Sequence, residues 1–552
     1  MVGDLGRMLW VLMGALGLVL LIASANVANL LLVRTEARQQ ELAVRAALGA
    51  GSGRIARELL IESLLLGLLG GLAGIEVARA GVQLLIRLRP ANLPRLDQIA
   101  LDPMVLLFTL VISVIAGLLF GLLPVINYAN PRLATALRSG GRSMSQSRQR
   151  QRARGSLVVV QVAIAVVLLI CSGLMIRTFK ALTKVDPGFT RPEDVQMARV
   201  DILMADAPDP ARVARMQHDI ILRLTAIPGV SQAAFADIAP LSGGDDSDTV
   251  LFTDGHASPA GQMRPLRRFE YISPDLFRTL GTPIVAGRDL AWEDLHDRRM
   301  VALVSNTLAR EEWGSPAAAI GRKVRVSPAD PWREVVGVVG DIHDDGLSRR
   351  PPPIVFFPAL MDNYGGQPTL AFRAVTLIVR SPRAGSEGLI REIERAVWSV
   401  NPNLPLARVR TLQDAYQTSL ARTSFALVML AIAGAMGVLL GVIGIYGVIA
   451  YAVSQRRQEV GIRLALGAPA GEVERLFVRH GLLLAAAGIV FGLTGAAALT
   501  RLMASLLFGV SPWDPATYAA VTTLLVLIAG LASYLPARQS TRVNPLEALR
   551  LG

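Results

Sequence analysis

The chain has 552 residues, of which 18% are charged and 52% hydrophobic, and its mean hydropathy is +0.45. Average soluble domains carry about 25% charged residues, and the deficit is uneven, because both ends are apolar while the middle, from about Lys180 to Leu420, resembles a soluble domain. That contrast predicts a membrane protein with one large extramembrane domain, and the single cysteine, Cys171, excludes an intrachain disulfide or a multi-cysteine metal site.

The net charge of +13 invites a nucleic-acid reading. Lys, however, occurs only as Lys180, Lys184 and Lys323, and most Arg in the apolar ends flanks apolar runs, so membrane topology explains the charge and no nucleic acid is expected. The five His are scattered, with no two at the close spacing of a metal motif, so neither a metal nor a cofactor is expected.

A bilayer-spanning helix needs about 20 mostly apolar residues. Seven segments qualify: roughly Met8–Val33, Leu59–Ile86, Met104–Ile126, Leu157–Ile176, Phe425–Val453, Leu482–Leu507 and Ala516–Leu535. The first is too long for a signal-peptide core, and Arg34 and Arg38 follow it as a stop-transfer pattern. Gly67, Gly70, Gly71 and Gly74 predict close helix packing in the second. Arg clusters after the first, third and fifth spans and in the tail all fall on one side if the spans alternate, which places them in the cytoplasm. The N-terminus and the middle domain then lie outside. Between Ser139 and Arg154 the chain is rich in Ser, Gln and Arg and reads as a flexible, solvated cytoplasmic linker, with anionic lipid headgroups a secondary partner.

The middle region alternates strand and helix signals. Val195–Leu203 and Val230–Ala236 read as strands around an amphipathic helix, Asp209–Ala226. Val375–Arg380 and Leu406–Val409 read as strands around a helix at Ser386–Val400. An insertion from about Leu241 to Pro358 holds short β runs such as Val301–Val304, Lys323–Val326 and Glu334–Val339. The expected fold is an α-helical membrane protein with seven spans in two parallel repeats. It carries a large α+β extracytoplasmic domain, a split β-α-β platform with a β-rich insertion.

The repeat is carried by a thirteen-residue stretch used twice, Arg38–Ala50 (Arg-Gln-Gln-Glu-Leu-Ala-Val-Arg-Ala-Ala-Leu-Gly-Ala) and Arg456–Ala468 (Arg-Arg-Gln-Glu-Val-Gly-Ile-Arg-Leu-Ala-Leu-Gly-Ala). Leu101-Asp102-Pro103 matches Trp513-Asp514-Pro515, and Asn130-Pro131 with Ala136-Leu137-Arg138 matches Asn544-Pro545 with Ala548-Leu549-Arg550. In each copy Glu41 and Arg45, or Glu459 and Arg463, stand four apart with Glu first, the favourable order for an ion pair on one helix face. Gly49 and Gly467 break each helix. One copy alone reads as a surface ion pair; two copies at equivalent positions read as docking segments for a cytoplasmic partner.

These stretches resemble the signature of the MacB/FtsX-like family of ABC-transporter permeases, in which such a loop carries a coupling helix. Asn26-Val27-Ala28-Asn29, Val335-Val336-Gly337-Val338-Val339-Gly340 and Asn544–Arg550 are similar to the family as well. The arrangement is nearest to the duplicated permeases, with a first unit lacking its leading span and external domain. The resemblance implies FtsX-like permease units at 1–138 and 421–552, a linker at 139–154, a leading span at 155–178 and a MacB-like periplasmic core domain at 179–420. It implies docking of a separate cytoplasmic ABC ATPase through Glu41, Arg45, Gly49, Glu459, Arg463 and Gly467, a dimer of permease units, membrane lipid around the spans and a periplasmic or outer partner. The implied role is export or extraction of a substrate; control of an external cell-wall hydrolase, as in FtsX-type relatives, is the alternative.

No residue set supports catalysis. None of the three Lys follows a Gly, so no P-loop is present and ATP hydrolysis is expected on another chain. Glu76 and Arg79, three apart in the second span, read as a structural intramembrane pair or as an ion pathway. Asp245, Asp246 and Asp248, like His343, Asp344 and Asp345, offer oxygen ligands for a hard cation, but solvated loops are the simpler reading.

Overall fold

The computed structural model describes residues 2–38, 41, 44–45, 51–88, 102–128, 143–241, 248–254, 265–455 and 469–541. The chain divides into two compact units, Met1–Thr183 with Thr423–Gly552, and Lys184–Arg422. In chain order the long helices are α1 (Val2–Ala37), α2 (Ser52–Leu88), α3 (Pro103–Tyr128), α4 (Ser143–Leu182), α5 (Pro210–Thr225), α6 (Glu387–Val400), α7 (Leu412–Gln455), α8 (Ala470–Leu502) and α9 (Pro515–Thr541).

The first unit is helical, as lipid requires, since a helix satisfies its own backbone polar groups. The order α1, α2, α3 recurs as α7, α8, α9, with α4 leading the second set. Among the described residues six helices are long and apolar enough to cross a membrane, against the seven expected. The exception is the third expected span: α3 is 26 residues long, but its described apolar stretch is the shorter Pro103–Leu119. A second difference concerns the linker expected at Ser139–Arg154. From Ser143 onward it is helix, continuous with α4. Gln and Arg are good helix formers, no Gly or Pro interrupts 143–154, and extending an existing helix needs no new nucleus.

Small residues set the packing, on one face rather than all round. A Cβ on Gly67 would lie 2.8 Å from the Ser113 carbonyl oxygen and 3.0 Å from Gly117 Cα, so α2 and α3 are in backbone contact there. Gly71 meets the Ser113 side chain, whereas Gly70 and Gly74 face open space. Gly488 and Gly492 do the same for α8 against α4, where an added Cβ would come 2.6 Å from Val162 and Val166.

The second unit is built on strands β1 (Val195–Asp201), β2 (Gln232–Ala236), β3 (Asp248–Val250), β4 (Phe252–Thr253), β5 (Leu266–Ile272), β6 (Ile284–Gly287), β7 (Val301–Ser305), β8 (Lys323–Arg325), β9 (Arg333–Val339), β10 (Ile354–Pro358), β11 (Leu360–Tyr364), β12 (Gln367–Ala371), β13 (Ala374–Arg380) and β14 (Leu406–Thr411). Four strands far apart in sequence make the platform, in spatial order β14-β1-β13-β2 and all antiparallel. Helices α5 and α6 cover one face, burying Val213, Ile220 and Leu224 with Leu389, Ile393 and Val397. Asp209 caps α5 by accepting from the Ala211 N–H, with Pro210 at the first helical position, and Ser386 caps α6 through the Leu389 N–H. The inserted strands continue the sheet as β5-β10-β7-β9-β8-β4, joined to the platform at Ala236 opposite Ile272. Gly337 in β9 is required by close approach, since a Cβ there would fall 2.1 Å from the Arg288 carbonyl oxygen.

Two outcomes follow from this packing. Gly67→Leu should destabilise the detergent-purified protein by about 1–3 kcal/mol through overpacking, and Gly70→Leu by much less, in thermal unfolding followed by circular dichroism. The second concerns Asp237, just after β2, which is buried and accepts hydrogen bonds from Tyr271 N–H at 2.9 Å and Ile238 N–H at 2.8 Å. Burial pushes its carboxyl up to about 6. A carboxyl raised in the folded state opposes folding once ionised, so stability from this site falls as pH rises from about 4 to about 6 and stays low above. Asp237→Asn keeps an oxygen for both N–H groups. It should therefore stabilise the protein by about 1–3 kcal/mol at pH 7.5 and by about a third of that at pH 4.5, read from denaturant unfolding at the two pH values.

Candidate functional site

The end of α1 and the start of α2 face each other across the first copy of the repeated stretch. Glu41, Val44 and Arg45 are helical. Arg45 donates to Glu41 at 2.5 Å, the i,i+4 pair anticipated from spacing, and also to Glu58 of α2 at 2.9 Å. Arg38 Nε donates to Glu41 at 3.1 Å, and Arg34 pairs with Glu62 of α2 at 2.8 Å. The Arg38 hydrogen bond holds the Glu41 carboxyl below the usual carboxylate range, and the same bond raises the Arg38 guanidinium. All of these groups touch water, so each pair contributes little to stability. As a set they fix the direction in which the segment leaves α1. The pairings of Glu58 and Glu62 were not legible in the sequence, because nothing in their spacing says that α2 folds back alongside Arg38 and Arg45.

A second cluster joins three helices. Arg154 of α4 is buried and donates to Glu36 of α1 at 2.7 Å. Tyr451 of α7 donates its hydroxyl to the same Glu36 at 2.5 Å. The Arg154 guanidinium lies over the Tyr451 ring, 3.8 Å from its centre, a cation–π contact. Glu36 stands two residues before Arg38, and Tyr451 five before Arg456, so the cluster sits at the root of both copies of the repeated stretch. Further along the same helices Gln161 donates to Asn26, and Asn26 to the Leu440 carbonyl oxygen. Gly444 makes room for this contact, since a Cβ there would meet Gln161 Oε1 at 2.0 Å. The Asn26–Asn29 motif thus supplies a polar contact between helices of the two halves.

Of the other expected site residues, Gly49, Glu459, Arg463 and Gly467 lie outside the described residues. Glu76 and Arg79 are both exposed on α2 and form no ion pair with each other. The Asp245–Asp246 loop also falls outside the described residues. Asp344 and Asp345 are ion-pair partners of the buried Arg268, at 3.0 and 2.8 Å. Among the described residues no group of three or more His, Cys, Asp or Glu is placed to hold a metal.

The family description "FtsX-like permease C-terminal" matches this chain twice, at residues 13–132 and 431–545, and "MacB-like periplasmic core domain" matches residues 156–395. The chain belongs to the MacB/FtsX-like permease family. The double match coincides with the two helix sets α1–α3 and α7–α9 that carry the repeated stretch. A macrolide export ATP-binding/permease protein MacB from Chromobacterium violaceum is 25% identical over 300 residues, covering 50% of this chain and 42% of that protein. An uncharacterized ABC transporter permease, YknZ of Bacillus subtilis, is 32% identical over 138 residues, covering 25% of this chain and 33% of that protein. The chain spans less than half the length of these curated relatives. Among solved structures, the periplasmic region of MacB from Actinobacillus actinomycetemcomitans aligns with 43% of this chain and 97% of its own, at 10% identity and a TM-score of 0.27. This MacB/FtsX-like permease is a multi-pass membrane protein with its α+β domain outside the cytoplasm.

Removing one partner of a buried ion pair leaves an uncompensated charge, which costs about 3–5 kcal/mol. Arg154→Gln and Glu36→Gln should each lower the stability of the permease on that scale, and the double variant should lose less than the two together. A double-mutant cycle in thermal unfolding should give a coupling energy near 2 kcal/mol.

Proposed function

We propose that this chain is a non-catalytic permease of an ABC-type export system, driven by a cytoplasmic ATPase on another chain. The observation that carries the reading is the repeated charged stretch, present once in each FtsX-like segment, with the first copy braced by Arg38, Glu41, Arg45 and Glu58. A charged segment between two spans, with its described residues ion-paired to the following helix, is a handle that a soluble partner can push. ATPase closure would act on the segments around Glu41–Gly49 and Glu459–Gly467. Helix α7 offers a route for that motion, since it runs unbroken from Leu412, in the external unit, to Gln455, next to the second segment. The names of the MacB relatives place ATP binding and macrolide export in those proteins. A larger family of cargo, extracted at the outer side, suits a permease with so large an external domain.

Reversing Glu459 and Arg463 together (Glu459→Arg with Arg463→Glu) should leave membrane insertion intact and reduce co-purification of a P-loop ATPase with the full-length chain at least tenfold. Identification is by mass spectrometry and by ATPase activity of the eluate. Undiminished co-purification with the double variant would sink the docking reading.

A further inference from the structure

Two histidines that the sequence keeps 78 positions apart meet in the external unit. His218 lies on α5 of the platform, and His296 ends the short helix Trp292–His296 in the inserted subdomain. His218 Nδ1 and His296 Nε2 are 3.1 Å apart. Trp292 stacks on the His218 ring at 3.8 Å between centres and packs against the platform core, so the His218 ring is fixed in orientation. His218 is half-buried and His296 exposed, leaving the pair open to solvent on one side.

Two ring nitrogens at this distance cannot both present lone pairs to each other with nothing between them. The gap holds a proton on one of the nitrogens, or it holds a cation. Metal–imidazole bonds of about 2.0–2.1 Å meeting at about 90–110° separate two nitrogens by roughly 2.8–3.4 Å, a range that includes this pair. As neutral rings the pair makes an N–H···N hydrogen bond, and the Trp292 stack holds the same two nitrogens where they can converge on an ion. Other carboxylates near His296 are engaged elsewhere. Asp294 is held by Arg288 and Arg299, and Asp297 by Arg299.

We propose that His218 and His296 form a two-nitrogen site for a divalent ion that favours imidazole, Cu²⁺ ahead of Zn²⁺ or Ni²⁺, with water in the remaining positions. Binding replaces the hydrogen bond, the donor ring's proton moving to its other nitrogen, and clamps α5 to the inserted subdomain. The site is independent of the permease reading, since it uses no residue of the repeated stretches or of the helix junction.

The test uses the full-length chain in detergent, freed of any histidine tag and titrated with CuCl₂ at pH 7.5. One Cu²⁺ per chain should bind, with nitrogen splittings in its electron paramagnetic resonance spectrum and quenching of tryptophan fluorescence. Trp292→Phe should remove most of the quenching while the stoichiometry stays. His218→Gln and His296→Gln should each weaken binding more than tenfold. Because His296 is exposed, His296→Gln should melt with the wild-type chain in EDTA, which separates loss of the site from loss of the fold. Lowering the pH to 5 should release the ion, as protons regain the nitrogens. Wild-type affinity in both His variants, or a Cu²⁺ spectrum unchanged by them, overturns the site.

Discussion

A guanidinium removed from water must find its counter-charge nearby, because an unpaired buried charge is among the most expensive features a fold can carry. Arg154 meets that demand with Glu36 and with the ring of Tyr451, and so joins the end of α1 and the end of α7 to α4. These are the points from which both repeated charged stretches depart. The pair is therefore more than a stabilising contact: it makes the roots of the two stretches parts of one junction. Contacts deeper among the same helices, Asn26 with Gln161 and Ser172 with the Leu430 carbonyl oxygen, extend the joint with neutral polar groups that need no counter-charge.

Around this joint the packing is close because of glycine. Gly67 and Gly71 let α2 lie against α3, and Gly488 and Gly492 let α8 lie against α4. In lipid, where apolar surface gains little by meeting other apolar surface, such backbone proximity is a main source of helix association. Both sets use the device between their second and third helices, Gly71 meeting Ser113 and Gly481 meeting Ser533, and in the second set glycines also join α8 to the leading helix α4.

The external unit obeys a different constraint. Its platform is assembled from β1 and β2 near its start and β13 and β14 near its end, so the sheet closes only after the whole insertion has been made. The insertion is anchored by the buried Arg268 and its carboxylates and by the run of β strands through Gly337, not by solvent-filled acidic loops. The His218–His296 contact lies where platform helix and insertion touch.

Much of this was written in the sequence. Apolar run length located six of the spanning helices, and period and turn residues located β1, α5, β2, β13, α6 and β14 to within a few residues. The repeated stretch and the Glu41–Arg45 pair were legible because helix geometry fixes which residues four apart can meet. The sequence read the 143–154 segment as loose, since composition reports solvation and not whether a helix already formed will propagate. What only the tertiary structure decided is every contact between distant segments: Arg154 with Glu36, Arg45 with Glu58, Asp344 with Arg268, and His218 with His296. Local periodicity carries no information about which faces pack together. That choice is made by the global fit of apolar surfaces, and the charged and metal-binding groups are brought together as its consequence.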